Sequence, residues 1–165
     1  MNSIMNRTSV RQFQDKAVEQ EKVELILKAA MQAPSAGNQM PWEFYVITNH
    51  EIMTQLSQTS PYASPAANAP LLIVPVTRKE GLRFSSYADI DMAIACENIL
   101  LEVQELGLGA VWLGIAPLEE RVEACNAFLQ LPESLTTYAL IPVGYPLKDT
   151  KALSRYDESR IHMIP

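Results

Sequence analysis

The chain has 165 residues, 13 basic and 19 acidic, for a net charge of −6. That length can bury a sizeable core without disulfides or metal, and one domain over residues 1–165 is the default expectation. The acidic balance argues against general nucleic-acid binding and leaves room for one local basic pocket.

In chain order, residues 1–15 are polar and carry the cluster Arg7-Thr8-Ser9-Val10-Arg11. Two guanidiniums and two hydroxyls so close together can grip a phosphate; the plainer reading is a solvated N-terminal arm. Residues 19–32 follow an amphipathic helical pattern, with Val23, Ile26, Leu27 and Ala30 on one face. The Pro-, Ser-, Gly- and Asn-rich stretch 33–42 is a shaped loop, leading from Trp42 into a strand over 43–48. It is either a connector or a binding loop that offers backbone donors, a hydroxyl and an amide at one place. Asn49 can cap a helix running to about Thr59. Residues 60–70 are Ala- and Pro-rich, as expected of a surface loop, and 71–77 form a strand. Pro75 lacks a ladder donor, so that strand is expected at an edge or beside a bulge. Residues 79–86 are polar and expected to be mobile.

Residues 91–106 form a helix with apolar residues on more than one face, expected to be buried on most sides; the plain reading is a central core helix and the sharper one adds a subunit interface. Gly107 and Gly109 suit its C-terminal end. A buried strand is expected over 110–115, a helix over 118–130 and a last strand over 137–144 that contains Pro142. Tyr145-Pro146 turns the chain into a charged tail over 148–165. Helices and strands mix without regular βαβ alternation, which predicts an α+β fold with a largely antiparallel central sheet flanked by helices.

The chemistry-bearing residues are sparse. Cys96 and Cys125 lack C-x-x-C spacing and read as buried thiols in a reducing compartment. His50 and His162 stand in no metal-ligand spacing, so no metal is expected. There is no G-x-G-x-x-G after a strand and no G-x-S-x-G elbow. Any catalysis is therefore expected to come from a bound cofactor. Without a signal peptide or a membrane-length apolar run, the expected location is cytoplasmic.

Five segments in order resemble the FMN-dependent nitroreductase family. Arg7-Thr8-Ser9-Val10-Arg11-Gln12-Phe13 is similar to its R-x-S-x-R-x-F signature, and residues 33–44, APSAGNQMPWEF, to its P-S-x-x-N-x-Q-P-W loop. Residues 91–114 resemble its central helix and the following G-L-G-x-x-W-L-G. Pro142 to Pro146 matches its P-x-G-Y/H-P turn, and the segments at Arg155 and Arg160 resemble its C-terminal region.

The resemblance implies a nitroreductase-like three-layer fold and a homodimer with two shared FMN sites. Arg7, Thr8 and Ser9 would hold the phosphate and ribityl chain, joined by Arg155 and Lys151. Arg11 would approach the pyrimidine side of the ring and stabilise reduced flavin. Pro34, Ser35, Ala36 and Asn38 would reach the flavin from the other subunit, and backbone at Leu113 and Gly114 would face its N5 region. The implied activity is hydride transfer from NADH or NADPH, via FMN, to nitroaromatic, quinone or similar acceptors. Dehalogenation, flavin fragmentation and a non-catalytic flavin-binding role are the competing readings. Met40, where the family often has Gln, Pro75, and a chain short for the family are departures; the last implies a more open site.

Overall fold

The computed structural model describes residues 2–165. Six strands form one antiparallel sheet: β1 (Trp42–Ile47), β2 (Leu71–Arg78), β3 (Gly109–Ala110), β4 (Leu113–Gly114), β5 (Leu135–Thr137) and β6 (Ala139–Gly144). The order is β1-β2-β6-β3, with β4 also on β6 and β5 also on β2. Helices α2 (Gln20–Met31) and α4 (Ala88–Glu105) cover one face, where Val23, Ile26, Ile99 and Val103 meet Leu71, Ile73, Ile141 and Val143. The other face packs Leu72, Val74 and Val76 against Met53 and Leu56 of α3 (His50–Leu56) and Cys125 of α5 (Glu119–Leu129). Successive residues of β2 thus point into two cores. A strand covered on both sides reads as a continuous apolar run, and the resulting three-layer α+β architecture is the one expected.

β2 is interior, so the edge alternative for Pro75 is overturned and the bulge alternative holds. The ladder pairs Ile73 with Ile141 but Val76 with Thr137. Three steps along β2 therefore face four along its neighbour, and the extra residue lies around Tyr138, whose N–H donates to the Pro75 carbonyl at 3.0 Å. The proline sits where the ladder is already interrupted. The same event divides the expected strand 137–144 into β5 and β6.

The expected strand 110–115 is likewise two short pieces. The register that pairs Ala110 with Val143 and Leu113 with Leu140 sets Val111 opposite Pro142. Pro142 has no N–H to give, and pairing lapses there.

Other expectations need correction. The central helix starts at Ala88, not Asp91. One face of it is buried, while Ile90 is exposed and Ala93, Ile94 and Leu101 are only partly covered. The helix capped by Asn49 ends at Leu56; the Thr59 hydroxyl donates to the Leu56 carbonyl at 2.7 Å and satisfies its end. The stretch 60–70 is no surface loop: it contains a 3₁₀ turn, Ser64–Asn68, and buries Ala63, Pro65, Ala66 and Ala69. Nor is the N-terminal arm solvated throughout. After a short helix α1 (Ser3–Asn6), Val10 and Phe13 are buried, and the Val10 N–H donates to the Ala110 carbonyl at 2.9 Å. Among the described residues no helix is long and apolar enough to cross a membrane.

Candidate functional site

The arm reaches the sheet edge because Gly109 lacks a side chain. A Cβ there would lie 2.5 Å from Val10 Cγ2. With that approach open, Ser9 bridges to Ala110 in parallel, and Arg11 is carried to the lip of β4. Two cavities meet at Arg11. One, of about 350 Å³, is walled by Arg11, Tyr62, Trp112, Leu113, Gly114 and Arg121. The other, of about 220 Å³, is walled by Ser9, Val10, Arg11, Gln12, Lys148 and Thr150. The first is aromatic with two guanidiniums; the second offers hydroxyls, backbone and two cations.

Trp112 is held edge-on to Tyr138, ring centroids 5.8 Å apart. The Tyr138 hydroxyl donates to the Asp89 carbonyl at 2.9 Å. Burial, with smaller contributions from Cys96 and Asp89, pushes that phenol up to about 12, so it stays neutral and keeps its proton. Arg121, in the first turn of α5, donates from Nη1 to the Gly114 carbonyl at 3.0 Å and lies 5.9 Å from the Tyr62 ring centroid.

The expected site residues divide into three groups. Ser9, Arg11, Leu113 and Gly114 converge on the two cavities. Arg7 and Thr8 flank them: Arg7 Nε lies 3.6 Å from Glu97 Oε1, and the Thr8 hydroxyl donates at 2.6 Å to that of Thr150, a wall of the second cavity. Lys151 and Arg155 are exposed and find no hydrogen-bond or ion-pair partner among the described residues of their own chain. Arg155 instead lines a separate cavity of about 530 Å³ with Ile4, Met5, Leu153 and Tyr156.

Pro34, Ser35, Ala36 and Asn38 line none of these cavities. Their loop is a built object all the same. Gly37, Asn38 and Met40 have φ of 56°, 55° and 45°. The Met40 N–H donates to Ser35 Oγ at 3.0 Å, so the methionine uses its backbone here and leaves its side chain outward. Buried Asp91 accepts from the Ala36 N–H at 2.9 Å and from Gln39 Nε2 at 2.7 Å. Gln39 also bonds both backbone groups of Phe84, at 3.0 Å each. The segment 79–86, expected to be mobile, is therefore pinned to this loop. Arg78 closes the far side by donating to the carbonyls of Gln39 and Met40 at 3.1 and 2.8 Å.

Sequence reasoning missed Asp91, Gln39, Tyr62, Arg121 and Lys148. Asp91 left one signal, an acid inside an otherwise apolar helical pattern. Arg121 and Lys148 left none, because a charge on a helix face or in a tail ordinarily reads as solvated.

Comparison with known proteins gives one answer. The model of the nitroreductase family matches residues 4–63 and 57–145. A protein of Methanothermobacter thermautotrophicus named as an NADH dehydrogenase/NAD(P)H nitroreductase is 36% identical over 99% of this chain and 85% of its own length. The crystal structure of a protein named as an NADH oxidase from Clostridium acetobutylicum is 47% identical, with a TM-score of 0.95 over 98% of each chain. A structure from Desulfovibrio desulfuricans, named as a nitroreductase in complex with FMN, is 28% identical, with a TM-score of 0.84 over 99% of this chain and 95% of that one. Fold, family model and near-full-length relatives coincide, and the chain belongs to the nitroreductase family.

Proposed function

We propose that the protein is a cytoplasmic FMN-dependent NAD(P)H oxidoreductase, one domain per chain, that works as a homodimer on nitroaromatic, quinone or similar electrophilic acceptors. The observation that carries this reading is the pair of cavities joined at Arg11. FMN is a planar aromatic ring linked through a polyol to a phosphate. An aromatic-walled cavity beside a smaller one with hydroxyls and cations has the matching chemistry at each end. Gly114 adds to the fit, since a Cβ there would meet nothing within 4 Å, leaving its backbone open to a flat ring.

On this reading Ser9, Thr8 and Thr150 would face the polyol, and Arg7 and Lys148 would supply charge toward the phosphate. Arg11 would bring a cation to the pyrimidine end of the ring, where it would favour the reduced form. Backbone at Leu113 and Gly114 would lie along its reactive edge. The chemistry supplied by bound FMN is hydride uptake from NAD(P)H and two-electron delivery to the acceptor. Pro34, Ser35, Ala36 and Asn38, absent from their own chain's cavities, serve the partner's site. Lys151 and Arg155, without a partner among the described residues of their own chain, are placed to do the same.

The purified protein is expected to be yellow, with flavin absorbance at about one FMN per chain. NADH or NADPH should bleach it without oxygen, and a nitroaromatic or quinone should restore the colour. A colourless protein that does not take up FMN would overturn the reading. Bound flavin that neither nucleotide bleaches would reduce it to a flavin carrier.

A further inference from the structure

We propose that Arg121 and Tyr62 form an outer subsite of the Arg11 cavity that recognises acceptors carrying a carboxylate on an aromatic ring. The inference rests on the flavin reading of that cavity. It adds a substrate class and two residues that neither the sequence motifs nor the family likeness brought forward.

The argument starts from charge. The molecule is net acidic, yet one cavity displays two guanidiniums, Arg11 and Arg121. Neither has a carboxylate within ion-pairing distance among the described residues. Arg121 spends one N–H on the Gly114 carbonyl. A guanidinium has five donors, so an edge is left for a planar anion. The bond to Gly114 also fixes where that edge stands relative to β4.

The wall chemistry supplies the other half. Tyr62 is largely exposed, with its ring near the Arg121 guanidinium. Trp112 is half-buried and packs edge-on against Tyr138. An aromatic ligand can lie against such surfaces while its anionic group meets the guanidinium. Size narrows the class. About 350 Å³ is at the lower end of small-molecule sites, and the flavin reading already claims part of it. What remains beside Arg121 and the exposed Tyr62 ring suits a single substituted ring better than the extended chain of a dinucleotide.

The test uses the oxidised, FMN-loaded protein. Perturbation of the flavin spectrum is titrated with 4-nitrobenzoate and with its neutral isostere 4-nitrobenzamide. The wild type is expected to prefer the acid, and rising ionic strength should erode that preference without moving the amide. Arg121→Gln should lower the acid-to-amide affinity ratio about tenfold, the scale of one lost charge-assisted contact. Arg121→Lys should recover part of it. Equal affinity for the two ligands in the wild type would overturn the proposal even if no variant could be purified. So would Arg121→Gln weakening both alike, which would mark Arg121 as mere support for Gly114. A slowed reduction by NADH or NADPH with an unchanged ratio would give the residue to the donor instead, and also overturns it. Failure to hold FMN at all would be visible before any titration, and would fall on the underlying flavin reading.

Discussion

Asp91 is 3% exposed and carries both hydrogen bonds that hold the 34–40 loop to α4. Its two oxygens each face a donor, so a carboxylate fits where an amide does not. Asp91→Asn turns one acceptor into a donor that confronts the Ala36 N–H or the Gln39 amide. We expect it to cost roughly 1–3 kcal/mol in denaturant unfolding; a change under about 0.5 kcal/mol would show that the loop holds without it. Glu19 is a surface counterpart with a different signature. Both its oxygens accept from the Tyr145 hydroxyl at 2.8 Å, with Lys16 and Lys22 each 3.7 Å away. The tyrosine bond, then its own backbone and the two lysines, lower its pKa from 4.5 to about 2. A depressed folded-state pKa stabilises above the unfolded value and is lost as pH falls through the folded one. The difference in urea midpoint between wild type and Glu19→Gln should thus be flat above about pH 6 and close between about 4.5 and about 2. The group is exposed, so salt should shrink the difference at neutral pH. A difference that persists near pH 2 would assign it to packing rather than charge.

At the scale of elements, the N-terminal arm and the β3–β4 edge depend on each other. Val10 occupies the space that any Cβ at Gly109 would need, with Val10 Cβ itself only 2.7 Å away. This contact is near backbone and cannot be relieved by swinging a long side chain. Gly109→Ala should cost about 1–3 kcal/mol as overpacking and should lift the arm. The readout is tryptic cleavage after Arg11, which is already exposed; it should quicken several-fold in the variant. Unchanged cleavage and stability would mean that the arm shifts without detaching. The two prolines act at the same scale. Pro75 and Pro142 each coincide with a lapse in the ladder, and it is the lapse opposite Pro142 that frees Val111 and Trp112 from pairing, beside the cavity.

For the whole molecule, the tail is the least satisfied part. All of residues 151–165 are exposed in the isolated chain, including Tyr156 at 74%, Met163 at 87% and Ile164 at 93%. Together with exposed Ile4, Met5 and Ile90 they leave apolar surface that a second copy would cover. Light scattering is expected to give about twice the chain mass of 18.4 kDa. Removing residues 151–165 should shift the species toward monomer and lower FMN retention together. A truncated chain that stays dimeric and fully loaded would remove the tail from the interface.

The sequence by itself determined the type of most elements and the α+β class, and its motifs carried the likeness to the family that implied three layers. Those follow from local pattern, capping and short motifs whose spacing is read along the chain. Asn49 shows this: its side chain caps α3 by accepting from Glu51 and Ile52, both within three residues. It also pointed to Ser9, Arg11, Leu113 and Gly114, which the fold brings to one place. What only the tertiary structure decided is whatever depends on a partner far away in sequence. Whether Pro75 lay at an edge was settled by how β5 and β6 share its neighbouring position. Whether residues 79–86 were loose was settled by Gln39, about forty residues earlier. Arg121 and Lys148 look like ordinary surface charges along the chain. They come to line the two cavities at Arg11 only because α5 and the start of the tail pack beside it, and no local pattern encodes which charges a fold will bring to neighbouring cavities.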